Sequence, residues 1–251
     1  MTRHKTLIVI VYAPALVGND RRTLAVVHGM EKALPGLRLE WRLSKGGRPI
    51  ALPQRDAWLA ENTVDGGFPL VCNGDARYPV TVNGGGRPGL LSPGGQAQFE
   101  VYAELPLDKP VIAAAAAVLE GMAEGARAFW GEATPDDAAG DIAYQTAPTL
   151  QGPPSPRRGL PALKLFEHIR SPEIPYFLGW LNYWSPAAAR AIGFPDPARD
   201  AELLSRSRRT ATGGWVVQLT DAPLDLDNPA HLDALKRAYE RFPEIGGRAA
   251  P

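Results

Sequence analysis

At 251 residues the chain is long enough for one large domain or two small ones, and an apolar share of 45% is that of a protein with a buried core. Twenty-seven Lys and Arg balance 27 Asp and Glu, which excludes a global field that would draw nucleic acid or an anionic membrane, so any recognition by charge has to be local. The single cysteine, Cys72, excludes an internal disulfide and a cysteine-based metal cluster and fits a reducing, cytoplasmic compartment.

In chain order, Arg3, His4 and Lys5 before LIVIV imitate a secretory signal, but Tyr12 and Pro14 interrupt the apolar stretch early. TLIVIV is therefore read as a first strand covered on both faces. Asp20 is placed to cap a helix carrying Leu24, Val27 and Leu34 on one side, ended by Pro35-Gly36. Leu37, Leu39, Trp41 and Leu43 then alternate with polar residues, as in a strand with one wet face, and FEVYAEL repeats the pattern with Phe99, Val101, Ala103 and Leu105 inward. Between them QRDAWLAEN reads as a short helix, and FPLVCNG and YPVTVNGGG as short strands.

Asp108 and Pro110 open a long alanine-rich helix whose apolar positions run from Ile112 through Leu119 and Ala126 to Trp130; Glu120 and Glu124 interrupt it, so it is no membrane span. Thr134, Pro135 and Asp137 start a further helix to about Thr146. The segment 147–161, APTLQGPPSPRRGLP, has no periodicity. The chain is thus one α+β domain, or two subdomains (1–147 and 162–251) joined by the Pro-rich loop 148–161. After it come PYFLGWLNYWS, an alanine-rich helix at 186–192, a strand in GGWVVQLT, and a last helix capped by Asn228 with Pro229 at its first turn and Leu232, Leu235, Tyr239 and Phe242 on one stripe. Without regular βαβ alternation the predicted architecture is α+β, a mainly antiparallel sheet with helices packed on one face.

Motifs of catalysis are scarce. GGGRPG spaces Gly84, Gly86 and Gly89 as a dinucleotide loop does, but the LLSPGG that follows cannot open the helix such a site needs. His4, His28, His168 and His231 form no ligand pair, so no metal and no cofactor is expected; His28 reads as a partly buried structural residue, and His231 has Asp227 for a partner. Arg157-Arg158 and Arg206, Arg208 and Arg209 lack aromatic interleaving and read as solvated loops, not as a nucleic-acid groove. Asp221, Asp225 and Asp227 precede a helix start, where the helix dipole and capping already account for acids; the alternatives are a surface for a basic partner, or an enzymatic site built from Asp225, Asp227 and His231. Tyr176, Phe177, Trp180, Tyr183 and Trp184 crowd one short run and are either core or partner anchors.

YFLGWLNYWS followed by TGGWVVQLTDAPLDLDNPAHLDAL resembles, in order and spacing, the C-terminal half of immunity protein 52 and related type VI immunity families, over residues 174–242. The matching positions are Gly179, Trp180, Leu181, Tyr183, Gly214, Asp225, Asp227, Asn228, Pro229 and His231. The whole chain further resembles a family of uncharacterised bacterial proteins of this length. The immunity resemblance implies a non-enzymatic protein that binds and neutralises a cognate protein toxin, for example a nuclease, with no catalytic residues to carry over. Tyr176, Trp180, Tyr183, Trp184, Asp221, Asp225 and Asp227 are then the expected partner-binding residues.

Overall fold

The computed structural model describes residues 5–18 and 20–249, so Arg3 and His4 of the signal-like start lie outside the described residues. Among the described residues ten strands make one sheet: β1 (Thr6–Pro14), β2 (Trp41–Leu43), β3 (Pro49–Ala51), β4 (Phe68–Cys72), β5 (Thr81–Arg87), β6 (Gln98–Pro106), β7 (Trp130–Pro135), β8 (Leu181–Trp184), β9 (Ser207–Arg209) and β10 (Trp215–Gln218). Their order is β3-β2-β4-β5-β6-β1-β7-β8-β10-β9, and each pairing is antiparallel. The helices are α1 (Arg22–Ala33), α2 (Arg55–Glu61), α3 (Lys109–Ala126), α4 (Asp136–Thr146), α5 (Pro186–Ala191), α6 (Ala201–Ser205) and α7 (Pro229–Arg241). The fold is α+β with an antiparallel sheet.

Strand register shows how the faces are used. Leu7, Val9 and Val11 of β1 stand level with Leu105, Ala103 and Val101 of β6 and with Pro135, Ala133 and Gly131 of β7, a row that continues to Leu181 and Tyr183 on β8. This row faces α3, because the Tyr183 hydroxyl donates to the Glu124 carboxylate at 3.1 Å. Phe99 to Leu105 keep the inward set that alternation predicts, and all four side chains are fully buried. α1 crosses α3 at close range: a Cβ on Gly29 would lie 2.3 Å from the Gly121 carbonyl oxygen, so the two backbones touch where both residues lack side chains.

The opposite row runs from Tyr12 through Trp130 and Trp184 to Trp215. Tyr12 and Trp130 stack at 4.3 Å, and the rings of Phe194 and Phe242, which follow α5 and α7, close over Trp184 at 5.0 and 5.3 Å. Helical cover on one face therefore describes α1 and α3, and to it the structure adds a second layer on the other face, where Phe242 at the end of α7 covers Trp184 of β8 and Phe194 covers Trp215 of β10. Large rings on both faces of β8 are the sequence counterpart of that double cover.

Two local readings change. The strand expected over 37–43 is only Trp41–Leu43; Leu37 and Leu39 are buried, but Trp41 and Leu43 are partly exposed near the sheet edge. Trp130 is not on the long helix, which stops at Arg127 in the left-handed region (φ 54°); it opens β7 instead. The Pro-rich segment is pinned rather than loose: Gln145 donates to the carbonyls of Pro154 and Pro156 at 3.2 and 2.8 Å and accepts from the Arg158 amide at 2.9 Å. The strands before and after it, β7 and β8, are hydrogen-bonded neighbours. Asp108 and Asn228 cap α3 and α7 by accepting from the Val111 and Ala230 amides, as their positions predict.

Candidate functional site

The aromatic run is core. Trp180 and Tyr183 are 2% exposed and Trp184 is completely buried, so these three cannot anchor a partner as the resemblance led one to expect. The reason is the double cover: Trp180 turns its indole inward, donating from Nε1 to the Thr220 carbonyl at 2.9 Å, while Tyr183 meets α3 and Trp184 meets Phe242. Tyr176 is half-buried, its ring 5.0 Å from Phe166 and 4.4 Å from Phe177.

The acidic segment lies on the surface. In LDLD, Leu224 and Leu226 are buried while Asp225 and Asp227 point out, a strand-like alternation in an irregular stretch. The Asp225 carboxylate accepts from the Asp227 amide at 3.0 Å, and the Asp225 amide donates to Nδ1 of His231 at 3.1 Å. His231 thus partners the backbone of Asp225, not Asp227, and its Nδ1 lone pair is engaged in holding the helix entry. Asp227 instead meets Arg158 at 2.7 Å, and the same guanidinium binds Asp141 at 2.8 Å and the Leu226 carbonyl at 3.1 Å. Arg158 is therefore a half-buried tie between α4 and the 224–227 segment, where a solvated residue was expected.

These contacts build a trough at the start of β1. One hollow of about 340 Å3 is lined by Lys5, Ile8, Glu104, Asp136 and Asp137; an adjoining one of about 250 Å3 shares Lys5 and Asp137 and adds Asp141, Arg158, Asp225 and Asp227. The two hold six carboxylates against two cations, one of which is already engaged with Asp141 and Asp227. At that density the surface attracts cationic groups within about a Debye length, roughly 10 Å at 0.1 M salt. Tyr144, 71% exposed, shares the α4 face of Asp137 and Asp141 by helical spacing. Asp136, Asp141, Glu104 and Tyr144 were not singled out in the sequence, because α4 and β6, which carry them, meet only in the fold; the one local hint was the paired acid at the α4 start. Asp221 does not join them: it is 91% exposed and lies 4.0 Å from Arg206.

Other candidates settle into structural roles. His28 is exposed, not partly buried, and its Nε2 lies 3.0 Å from Asp56. Gly84 and Gly86 lie within β5, and Gly89 begins a single 3-10 turn. Arg208 pairs with Glu120 and donates to the Ala116 carbonyl, so it docks β9 on α3. Among the described residues no three His, Cys, Asp or Glu side chains converge as the ligands of a metal.

One buried acid underlies the resemblance motif. Glu132 on β7 accepts a hydrogen bond from Thr134 Oγ1 at 3.1 Å, and burial pushes its carboxyl up to about 7, the Thr134 bond offsetting part of the rise. Gly179 lies directly over this pair, locked by Asn182, which accepts from its amide at 2.9 Å and donates to its carbonyl at 3.0 Å.

No helix among the described residues is long and apolar enough to cross a membrane. Among solved structures the fold is similar to the T6SS protein PA0821 of Pseudomonas aeruginosa, with a TM-score of 0.55 at 15% identity over 95% of this chain and 76% of that one. No curated protein matches the sequence. The family described as domain of unknown function DUF5953 matches residues 18–250, which take in every strand of the sheet except β1 and all six carboxylates of the acidic trough, and the chain belongs to that family.

Proposed function

We propose that the protein works by binding, as an immunity-type neutraliser of a cognate protein toxin in the cytoplasm, and that the acidic trough is its contact surface. The observation that carries this reading is the convergence of Glu104, Asp136, Asp137, Asp141, Asp225 and Asp227 around one groove, with the exposed ring of Tyr144 on the same helix face as two of them. Such a surface fits a basic patch, for example the substrate cleft of a nuclease: charge accelerates encounter and a desolvated ring slows release. The fold similarity to a T6SS protein and the immunity-like order of motifs in the C-terminal half support the same class. The trough, and not the buried rings of Trp180, Tyr183 and Trp184, carries the partner contact in this reading.

Co-expression tests this. A host producing a candidate toxin, taken from the genes that flank this one, is expected to survive with the wild-type chain and to die with Asp136→Lys/Asp137→Lys/Asp225→Lys. All three side chains are exposed, and since Asp225 also accepts from the Asp227 amide, circular dichroism of the purified variant accompanies the assay to show that it is folded. Equal protection by the variant, or none by the wild type, overturns the proposal.

A further inference from the structure

Arginines that are scattered along residues 199–241 meet in one hollow of about 150 Å3, remote in chemistry from the acidic trough: Arg199, Arg206, Arg237 and Arg241 line it together with Leu203, Leu219 and one acid, Glu202. Two of the guanidinium groups are held in place. Arg241 forms a two-pronged bond with the fully buried Asp200, at 2.6 and 3.0 Å, donates to the Gly193 carbonyl at 2.9 Å and lies 4.6 Å over the Phe242 ring. Arg206 donates to the Leu219 carbonyl and to Glu202, both at 3.1 Å. Each of these two has one carboxylate to itself, and Asp221, 4.0 Å from Arg206 and almost fully exposed, adds only a screened contribution. Arg199 and Arg237 are exposed, and their guanidinium groups make no hydrogen bond or ion pair among the described residues. Two positive charges therefore remain over a hollow with leucine in its lining.

The arrangement suits a particular chemistry. A guanidinium fork matches the oxygens of a tetrahedral oxyanion in pairs, and forks already fixed by other bonds lose little freedom when the ligand arrives. The leucines favour an apolar body beside the charge, and the hollow is well below the roughly 300 Å3 at which drug-sized ligand pockets begin, so the body is small. We infer that this hollow binds a small phosphomonoester. The doubly charged phosphoryl group sits among the four arginines, Arg199 and Arg237 closing on it from the rim, and the ester body lies against Leu203 and Leu219. The inference is independent of toxin binding, since none of these residues lines the trough.

Titration calorimetry with phenyl phosphate and with inorganic phosphate tests it, on the wild-type chain and on Arg199→Gln/Arg237→Gln, a variant that removes no side-chain hydrogen bond or ion pair seen among the described residues. Phenyl phosphate is expected to bind with a Kd below about 1 mM at low salt, and at least about tenfold more weakly to the variant, the scale of one or two lost charge-assisted bonds. Inorganic phosphate is expected to bind several-fold more weakly than the ester. Absence of saturable phenyl phosphate binding, or an unchanged affinity in the variant, overturns the site; equal affinity for the two probes overturns the ester and leaves a site for the free anion.

Discussion

Gly179→Ala is expected to destabilise the protein by about 3–5 kcal/mol, enough to remove most of the stability of an ordinary domain. A Cβ at this position would lie 2.1 Å from Thr134 Oγ1 and 2.5 Å from Glu132 Oε2, and 3.1 Å from the Glu132 Cβ. Neither neighbour can step aside cheaply. Both lie on β7, hydrogen-bonded between β1 and β8, and Thr134 Oγ1 at once donates to Glu132 and accepts from the Trp180 amide at 3.3 Å. Moving them breaks buried hydrogen bonds, while moving residue 179 breaks its two bonds to Asn182. Overpacking and orphaned polar groups therefore add. Gly85→Ala is the control, since an added Cβ there meets nothing within 4 Å; its effect is expected to stay within about 1 kcal/mol. Urea unfolding of both variants measures the contrast, and a Gly179→Ala chain as stable as the Gly85→Ala chain removes the close contact from the account.

Glu132→Gln is expected to act in the other direction and only above acid pH. In the unfolded chain this carboxyl ionises near its ordinary 4.5; in the folded chain burial raises it to about 7. Between those values the folded chain keeps a proton that the unfolded chain has released, so this residue's contribution to stability falls as pH rises and is fully lost above about 7. The loss corresponds to about 3 kcal/mol. Glutamine, which cannot ionise, is expected to leave stability near pH 4.5 little changed and to raise the melting temperature at pH 8 by roughly 5–10 °C. The difference between wild type and variant across this pH range isolates Glu132 from other acids. A difference that does not change with pH contradicts the buried, uncompensated carboxyl.

How much of this was legible in the sequence depends on how far apart the determinants lie. Asp108 and Asn228 act within one turn of their own helices, and the FEVYAEL alternation is a property of seven consecutive residues, so these features could be read directly. β7 could not: Trp130, Gly131, Glu132, Ala133 and Thr134 are all buried, which erases the period of two, and Trp130 falls in phase with the helix before it. The rings of 176–184 announced a large buried area but not which side would be covered, because α7 and Phe242, which close that side, come some sixty residues later. The trough was half legible. Asp225 and Asp227 stand out beside DNP, but their partners Asp137, Asp141 and Arg158 are brought to them only by the pairing of β7 with β8 and by the pinned 147–161 loop. Arginines 199, 206, 237 and 241 are likewise unrelated in sequence until α6 and α7 come together.

The most direct measurement is the affinity of the purified chain for the candidate toxin of that co-expression test, compared with that of Asp136→Asn/Asp137→Asn/Asp225→Asn as salt is raised. Recognition through the trough predicts an affinity at least about 100-fold weaker in the variant, together with a wild-type affinity that falls steeply with salt while the variant's changes little. Equal affinities and equal salt dependence for the two chains would mean that the partner is held somewhere other than this groove.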